Sequence, residues 1–254
     1  MIDLLSRGLA QLPLISIIFL ILWLVSMIMV PIVKWIWGDG AERIGISVGV
    51  LFQVATVVAL LSAALPLWTV ALLAAAIPFL GWLSEFVGCR TGFPFGRYHY
   101  TDVLQPQIGR VPLIIPLAWL MMMPPAWAVA ELLVGSARPL LFALTAGVAF
   151  TAWDLFLDPQ MVHWDFWRWK QPGRYFGIPL INFLGWWVVS AAITALIYAV
   201  LPIAALPLHA LLLMYAITWI LETVAQALFW NLRGSAIVGF IAMGTLVLLA
   251  SRAL

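Results

Sequence analysis

From Leu12 to Val33 the chain reads LPLISIIFLILWLVSMIMVPIV, twenty-two residues without one ionisable side chain. A helix needs about 20 such residues to cross about 30 Å of hydrocarbon. The run is too long for the apolar core of a secretory signal, and no small-residue cleavage pattern follows it. It predicts a membrane-spanning helix. Seven further runs of similar character follow, approximately Ile44 to Ala63, Pro66 to Phe86, Val111 to Val134, Pro139 to Leu157, Pro179 to Leu201, Pro207 to Trp230 and Ser235 to Ala250. The last is the shortest, and without it seven spans would remain. The expected fold is an all-α, polytopic helical bundle forming one integral membrane domain over residues 1–254, with no second domain, low-complexity tract or convincing repeat.

Composition supports this class. The chain is 65% hydrophobic and 9% charged, with a mean hydropathy of +1.12, too few charges to cover a water-facing globule. Fifteen tryptophans suit the membrane-water boundary, where an apolar ring and one N–H donor are both accommodated. A net charge of +2 without a Lys/Arg run argues against nucleic acid as a partner. The lone Cys89 excludes an intrachain disulfide or a Cys-based metal cluster and reads as a small packing residue.

Eight spans place the segments 34–43, 87–110, 158–178 and 231–234 on one side. These carry Lys34, Arg43, Arg90, Arg97, Arg110, Arg168, Lys170, Arg174 and Arg233, whereas the opposite side keeps Arg7, Arg138 and Arg252. The positive-inside rule then predicts a multi-pass protein of the cell (inner, cytoplasmic) membrane, with the long loops 87–110 and 158–178 cytoplasmic and both termini outside.

Ionisable residues within spans are costly, and several at one depth point to a functional site. Glu85, Asp154, Asp158 and Glu222 gather near the cytoplasmic ends of their helices, and Asn182 opens the sixth span at the same level. The other half offers Glu131 near its surface. Asp154 and Asp158, four residues apart, share one helical face, and Pro159 is expected to mark the turn that follows. Two close carboxyl groups in a poorly hydrated site resist double ionisation, so one should keep a proton near neutral pH and serve as an acid. The structural alternatives are a cap at the helix end or ion pairs with Arg168 or Arg174 for the aspartates, and with Arg90 or Arg97 for Glu85. An acidic pair could also hold Mg²⁺, though one pair is a weak metal signal. His99, His163 and His209 are scattered and form no iron or zinc box.

The loop around Gly88, Gly92, Pro94 and Gly96, with its aromatic residues, is expected to pack as an interfacial lid; it lacks the strand-to-helix context and ending of a phosphate-binding loop. His99 and Asp102 read equally well as solvated interfacial residues. Trp164, Trp167, Trp169 and Tyr175 are most simply interfacial anchors. Aromatic faces beside a carboxylic acid would also stabilise a carbocation, which suggests chemistry on an alkene.

Across these two loops the sequence resembles the membrane-bound carotenoid hydratase family, which includes gamma-carotene and lycopene 1,2-hydratases and bisanhydrobacterioruberin hydratases. The resemblance rests on Glu85 with Gly88, Gly92 and Phe95-Gly96-Arg97-Tyr98-His99-Tyr100, on Val111-Pro112 and Trp119, and on Asp154-Leu155-Phe156-Leu157-Asp158-Pro159. It continues through Trp167-Arg168-Trp169, Tyr175-Phe176-Gly177-Ile178-Pro179, Asn182-Phe183 and Gly185-Trp186. It covers about Gly81 to Trp187 closely. It implies a cofactor-independent lyase without a metal, adding water across the C1,C2 double bond of a carotenoid ψ-end to give a tertiary alcohol. The implied partners are the carotenoid, water and membrane lipid, with room for association with other carotenoid-pathway enzymes. On that reading Asp154 or Asp158 donates the proton, while the partner carboxylate or Glu85 orients and deprotonates the water. Tyr98, Trp167 and Trp169 flank the cation, and Arg97, His99, Asp102, Asn182 and Glu222 support them. Two other classes compete: a Mg²⁺-dependent membrane polyprenyl or carotenoid-modifying transferase, which would need a second aspartate-rich motif, and a non-catalytic carotenoid-binding or transport protein, whose polar sites should be open to both faces.

Overall fold

The computed structural model describes residues 12–201, 203 and 205–254; Arg7, counted above on the far side, lies outside them. Among the described residues, eight helices are long and apolar enough to cross a membrane: α1 (Leu14–Trp37), α2 (Asp39–Ala64), α3 (Leu67–Thr91), α4 (Ile114–Leu133), α5 (Pro139–His163), α6 (Leu180–Val200), α7 (Leu208–Val224, prolonged by a π-helical turn Ala225–Phe229) and α8 (Arg233–Ser251).

The helix α4 forms the centre. It packs against α2, α3, α5, α7 and α8, and 78% of its apolar stretch is buried, against 22% for α1. Its middle reads Met121-Met122-Met123-Pro124-Pro125, all buried. The prolines remove two backbone donors from the helical ladder, which a helix enclosed by others tolerates, and the unbranched methionines fill the irregular space beside them. The peripheral helices show Leu, Ile, Val and Phe side chains outward, as a lipid-facing surface requires.

Helix boundaries at the polar end depart from the apolar runs. The helix α2 begins at Asp39 rather than Ile44, α3 continues past Phe86 to Thr91, and α5 continues past Leu157 to His163. Pro159 therefore does not mark a turn. It lies inside α5, and the carbonyl of Leu155 that its missing N–H leaves free accepts hydrogen bonds from Tyr175 Oη (2.8 Å) and Ser235 Oγ (2.9 Å). Side chains from the following loop and from α8 thus replace the lost backbone bond.

The two long loops are also more ordered than a lid of turns. Tyr98–Tyr100 (β1) pairs antiparallel with Trp167–Trp169 (β4), with Tyr98 opposite Trp169, His99 opposite Arg168 and Tyr100 opposite Trp167. Gln107–Ile108 (β2) and Val111–Pro112 (β3) form a short hairpin. The α1–α2 and α7–α8 connections meet at this same end. Gly38, at φ +80°, turns the chain between α1 and α2. Lys34 pairs with Glu42 at 2.7 Å and lies over the ring of Trp164 at 5.9 Å, while Trp230 Nε1 donates to Glu42 Oε1 at 2.9 Å.

Candidate active site

The one-face placement of Asp154 and Asp158 is realised on α5, and both side chains are buried, at 0% and 1% exposure. Asn182, in the first turn of α6, spans them. Its Nδ2 donates to Asp154 Oδ2 at 3.3 Å and also to Asp158 Oδ2. Trp167 Nε1, from β4, donates to Asp158 Oδ1 at 3.2 Å. Asp154 Oδ1 is buried without a hydrogen-bond partner, and the two carboxyl groups lie within hydrogen-bonding reach of each other. Arg168 pairs with Asp165 instead. Among the described residues no cation forms an ion pair with either aspartate or with Glu85.

Glu85 approaches from α3, close enough for its charge to act on both aspartates. Tyr98 Oη donates to its Oε2, and Tyr100 Oη donates to the same oxygen at 2.9 Å. Burial first, and then the neighbouring carboxylate, push both phenols well above the usual tyrosine range, so they remain O–H donors. The strand geometry explains this convergence. Successive residues of a strand face opposite sides, so Tyr98, Tyr100, Trp167 and Trp169 point into the bundle while His99 and Arg168 point out. Tyr98 comes close because residue 88 is glycine: a Cβ there would stand 2.7 Å from the Phe95 ring and 3.1 Å from Tyr98 Oη.

Aromatic rings enclose the carboxyl cluster. Trp119 of α4 stacks on Trp186 of α6 at 4.8 Å with 8° between planes, and Phe150 packs on both. The Trp119 indole N–H lies beside Glu85 without completing a hydrogen bond. Tyr98 stands 5.8 Å from Trp169, and Tyr100 meets Trp167 edge-on at 5.5 Å. Toward the lipid-facing side, a groove of about 490 Å³ runs between the 91–97 segment and α6, past Phe93, Pro94, Ile181, Leu184 and Val188. Phe95 packs at its inner edge, against Tyr98 and Trp186.

The structure thus brings Glu85, Tyr98, Asp154, Asp158, Trp167 and Asn182 together, with Trp169 in the wall through its 3.1 Å hydrogen bond to the Phe95 carbonyl. His99 and Asp102 are exposed and away from the cluster, and Arg97, also exposed, lines the groove beside α6 rather than the carboxyl cluster. Glu222 reaches the same depth but faces a different cavity. Tyr100, Trp119 and Phe95 are members to which sequence reasoning assigned no role in the site, although all three stand among the residues that carry the family resemblance. The period-two pattern of Tyr98-His99-Tyr100 and Trp167-Arg168-Trp169 was the available signal for Tyr100. Among the described residues no group of three or more His, Cys, Asp or Glu is arranged to hold a metal ion.

The fold and site define a multi-pass helical membrane protein with a buried carboxyl cluster, walled by aromatics, at one end of its bundle. The chain belongs to the carotenoid biosynthesis protein family, whose family profile matches residues 45–249. It is also similar to the bisanhydrobacterioruberin hydratase of Haloarcula japonica, with 32% identity over 117 residues. That segment is 45% of this chain and 39% of the relative, so the likeness covers less than half of either protein. No solved structure matches the chain.

Proposed function

We propose that the protein is a carotenoid hydratase that adds water to the terminal C1,C2 double bond of a ψ-end, giving a tertiary alcohol. One observation carries this reading: a buried pair of aspartates, bridged by Asn182, faces a glutamate held by two tyrosines, inside an aromatic wall. The family membership and the named relative support a carotenoid as the substrate class.

The chemistry follows from the donor inventory. An aspartate pair with no cation beside it is best accommodated sharing a proton. Asn182 and Trp167 supply donors to the pair and occupy three of its four oxygens, and Asp154 Oδ1 is the one without a partner. Transfer of the shared proton to C2, the less substituted alkene carbon, leaves a tertiary cation at C1. The faces of Trp167 and Tyr98 stabilise that charge. A water oxygen bonds to C1, Glu85 takes the proton that the water loses and passes it back to the aspartate pair, and the net reaction adds one water with the enzyme restored and no redox partner needed. Tyr98 and Tyr100 fix the Glu85 carboxylate through one oxygen, leaving the other to meet water. The groove beside Phe95 offers an approach from the lipid side for a long hydrocarbon.

The test is expression in a host that accumulates lycopene or gamma-carotene, with pigments followed by chromatography and mass spectrometry. The expected product gains one water, and its oxygen is heavy when the medium contains heavy-oxygen water. Unchanged acyclic, monocyclic and C50 pigments in cells holding well-folded protein would overturn the proposal.

A further inference from the structure

A second buried acid lies outside this cluster. Glu222 of α7 lines a closed cavity of about 60 Å³, together with Gln53, Gln160, Thr218 and the rings of Trp23 and Trp153. The cavity shares α5 with the aspartates: Trp153, Leu157 and Gln160 face it from a stripe turned by about a quarter of a revolution from Asp154 and Asp158, at about 100° per residue.

Its polar groups do not satisfy one another. Gln226, placed by the π-helical turn after α7, has Nε2 at 2.8 Å from the Phe156 carbonyl, 3.3 Å from Gln160 Oε1 and 3.3 Å from Glu222 Oε2. Three acceptors share two hydrogens. Gln53 Nε2 reaches Thr218 Oγ1 and Met122 Sδ only at 3.4 Å. Among the described residues, the indole N–H groups of Trp23 and Trp153, two fully buried residues that line the cavity, have no acceptor, and Gln226 Oε1, behind Gln160 and Glu222, has no donor. Orphaned donors and acceptors around one small space call for a ligand that both donates and accepts. Water does both, and 60 Å³ admits about two molecules at about 30 Å³ each. Trp230 forms the boundary between this cavity and an open groove beside Lys34, Trp35 and Asp39. Its indole is held by Glu42, which Lys34 pairs in turn.

We infer that the Glu222 cavity is an internal water-binding site that supplies the hydration step, refilled past Trp230 from the polar end of the bundle; the supply role rests on the hydratase reading. Without supplied water, the cation formed at C1 returns a proton from an adjacent carbon to a carboxylate and regenerates an alkene. In deuterated water that return path leaves deuterium in the recovered carotenoid. Loss of the site therefore spares protonation and suppresses alcohol formation.

The experiment uses the full chain in detergent micelles and in membranes. With ¹⁵N-labelled indoles, Trp23 and Trp153 should show cross-peaks to bound water, retained in Glu222→Gln and lost in Glu222→Leu and in Gln53→Leu. In deuterated water, the ratio of deuterium exchange to hydration should rise about tenfold in both leucine variants, the order expected when a positioned reactant is lost. Glu222→Gln should keep the wild-type ratio. Wild-type protein without water cross-peaks at either indole overturns the site. Cross-peaks lost in the leucine variants with an unchanged ratio overturn the supply role. A wild type that shows the cross-peaks but neither hydrates nor exchanges any acyclic carotenoid overturns the hydratase reading, and the supply role with it, while the water site stands.

Discussion

Replacing each aspartate by its amide should give two different failures. At position 154 an asparagine can turn its oxygen toward Asn182 Nδ2, now 3.3 Å from Asp154 Oδ2, and set its own N–H₂ where Oδ1 has no partner. That N–H₂ has the neighbouring Asp158 carboxylate within reach as its acceptor, so no buried donor need be orphaned and stability should stay near wild type. The proton is lost, however, and removal of a general acid typically costs about 10²–10⁴ in rate, or about 3–5 kcal/mol of barrier. At position 158 both oxygens already receive donors, Trp167 Nε1 at 3.2 Å on Oδ1 and Asn182 on Oδ2. Whichever way an amide turns there, its N–H₂ confronts another N–H. One buried donor conflict should cost about 1–3 kcal/mol. Asp158→Asn should therefore lose both activity and several degrees of thermal midpoint, whereas Asp154→Asn should lose activity alone. The assay is hydration rate in membranes beside thermal unfolding of purified protein. Near-normal turnover in Asp154→Asn, or greater destabilisation there than in Asp158→Asn, would refute the reasoning.

Tyr100→Phe removes one of two donors to Glu85 Oε2 and should lower turnover by about tenfold or more, since a charged acceptor loses about 1.5–3 kcal/mol with such a bond; pigment assays read it directly. His99→Ala and Asp102→Asn alter exposed side chains outside the cluster and the groove and should each leave turnover within about twofold of wild type, with stability changes inside about 0.5 kcal/mol. Membranes washed with a chelator should hydrate at the untreated rate, measured by product formation; a loss restored by Mg²⁺ would favour the transferase alternative.

The spans were legible because bilayer thickness sets a length that uninterrupted apolar runs reveal. Their ends were less so, since α3 runs on past Phe86 through Arg90 and α5 past Leu157 through Pro159, where tertiary hydrogen bonds decide what the local sequence leaves open. The depth of Glu85, Asp154, Asp158 and Asn182 could be read from their positions along the helices. The direction each faces could not. Depth alone grouped Glu222 with the aspartates, although a quarter-turn of α5 separates its cavity from the carboxyl cluster. Three-residue strands rich in Tyr and Trp look like interfacial anchors, and only the pairing of Tyr98 with Trp169, 71 positions further along the chain, turns their alternation into a strand signal.

The β1/β4 ribbon has a mechanical consequence. Glu85 is gripped by β1 and Asp158 by β4, so the spacing of the proposed base and acid is governed by a ladder whose opposed residues stand about 4.5–5.5 Å apart, rather than by the packing of α3 against α5. A bundle that admits a long rigid hydrocarbon must loosen somewhere. With both reactive groups strapped to the same short ribbon, the helices can part on the lipid side while the distance on which proton transfer depends is conserved.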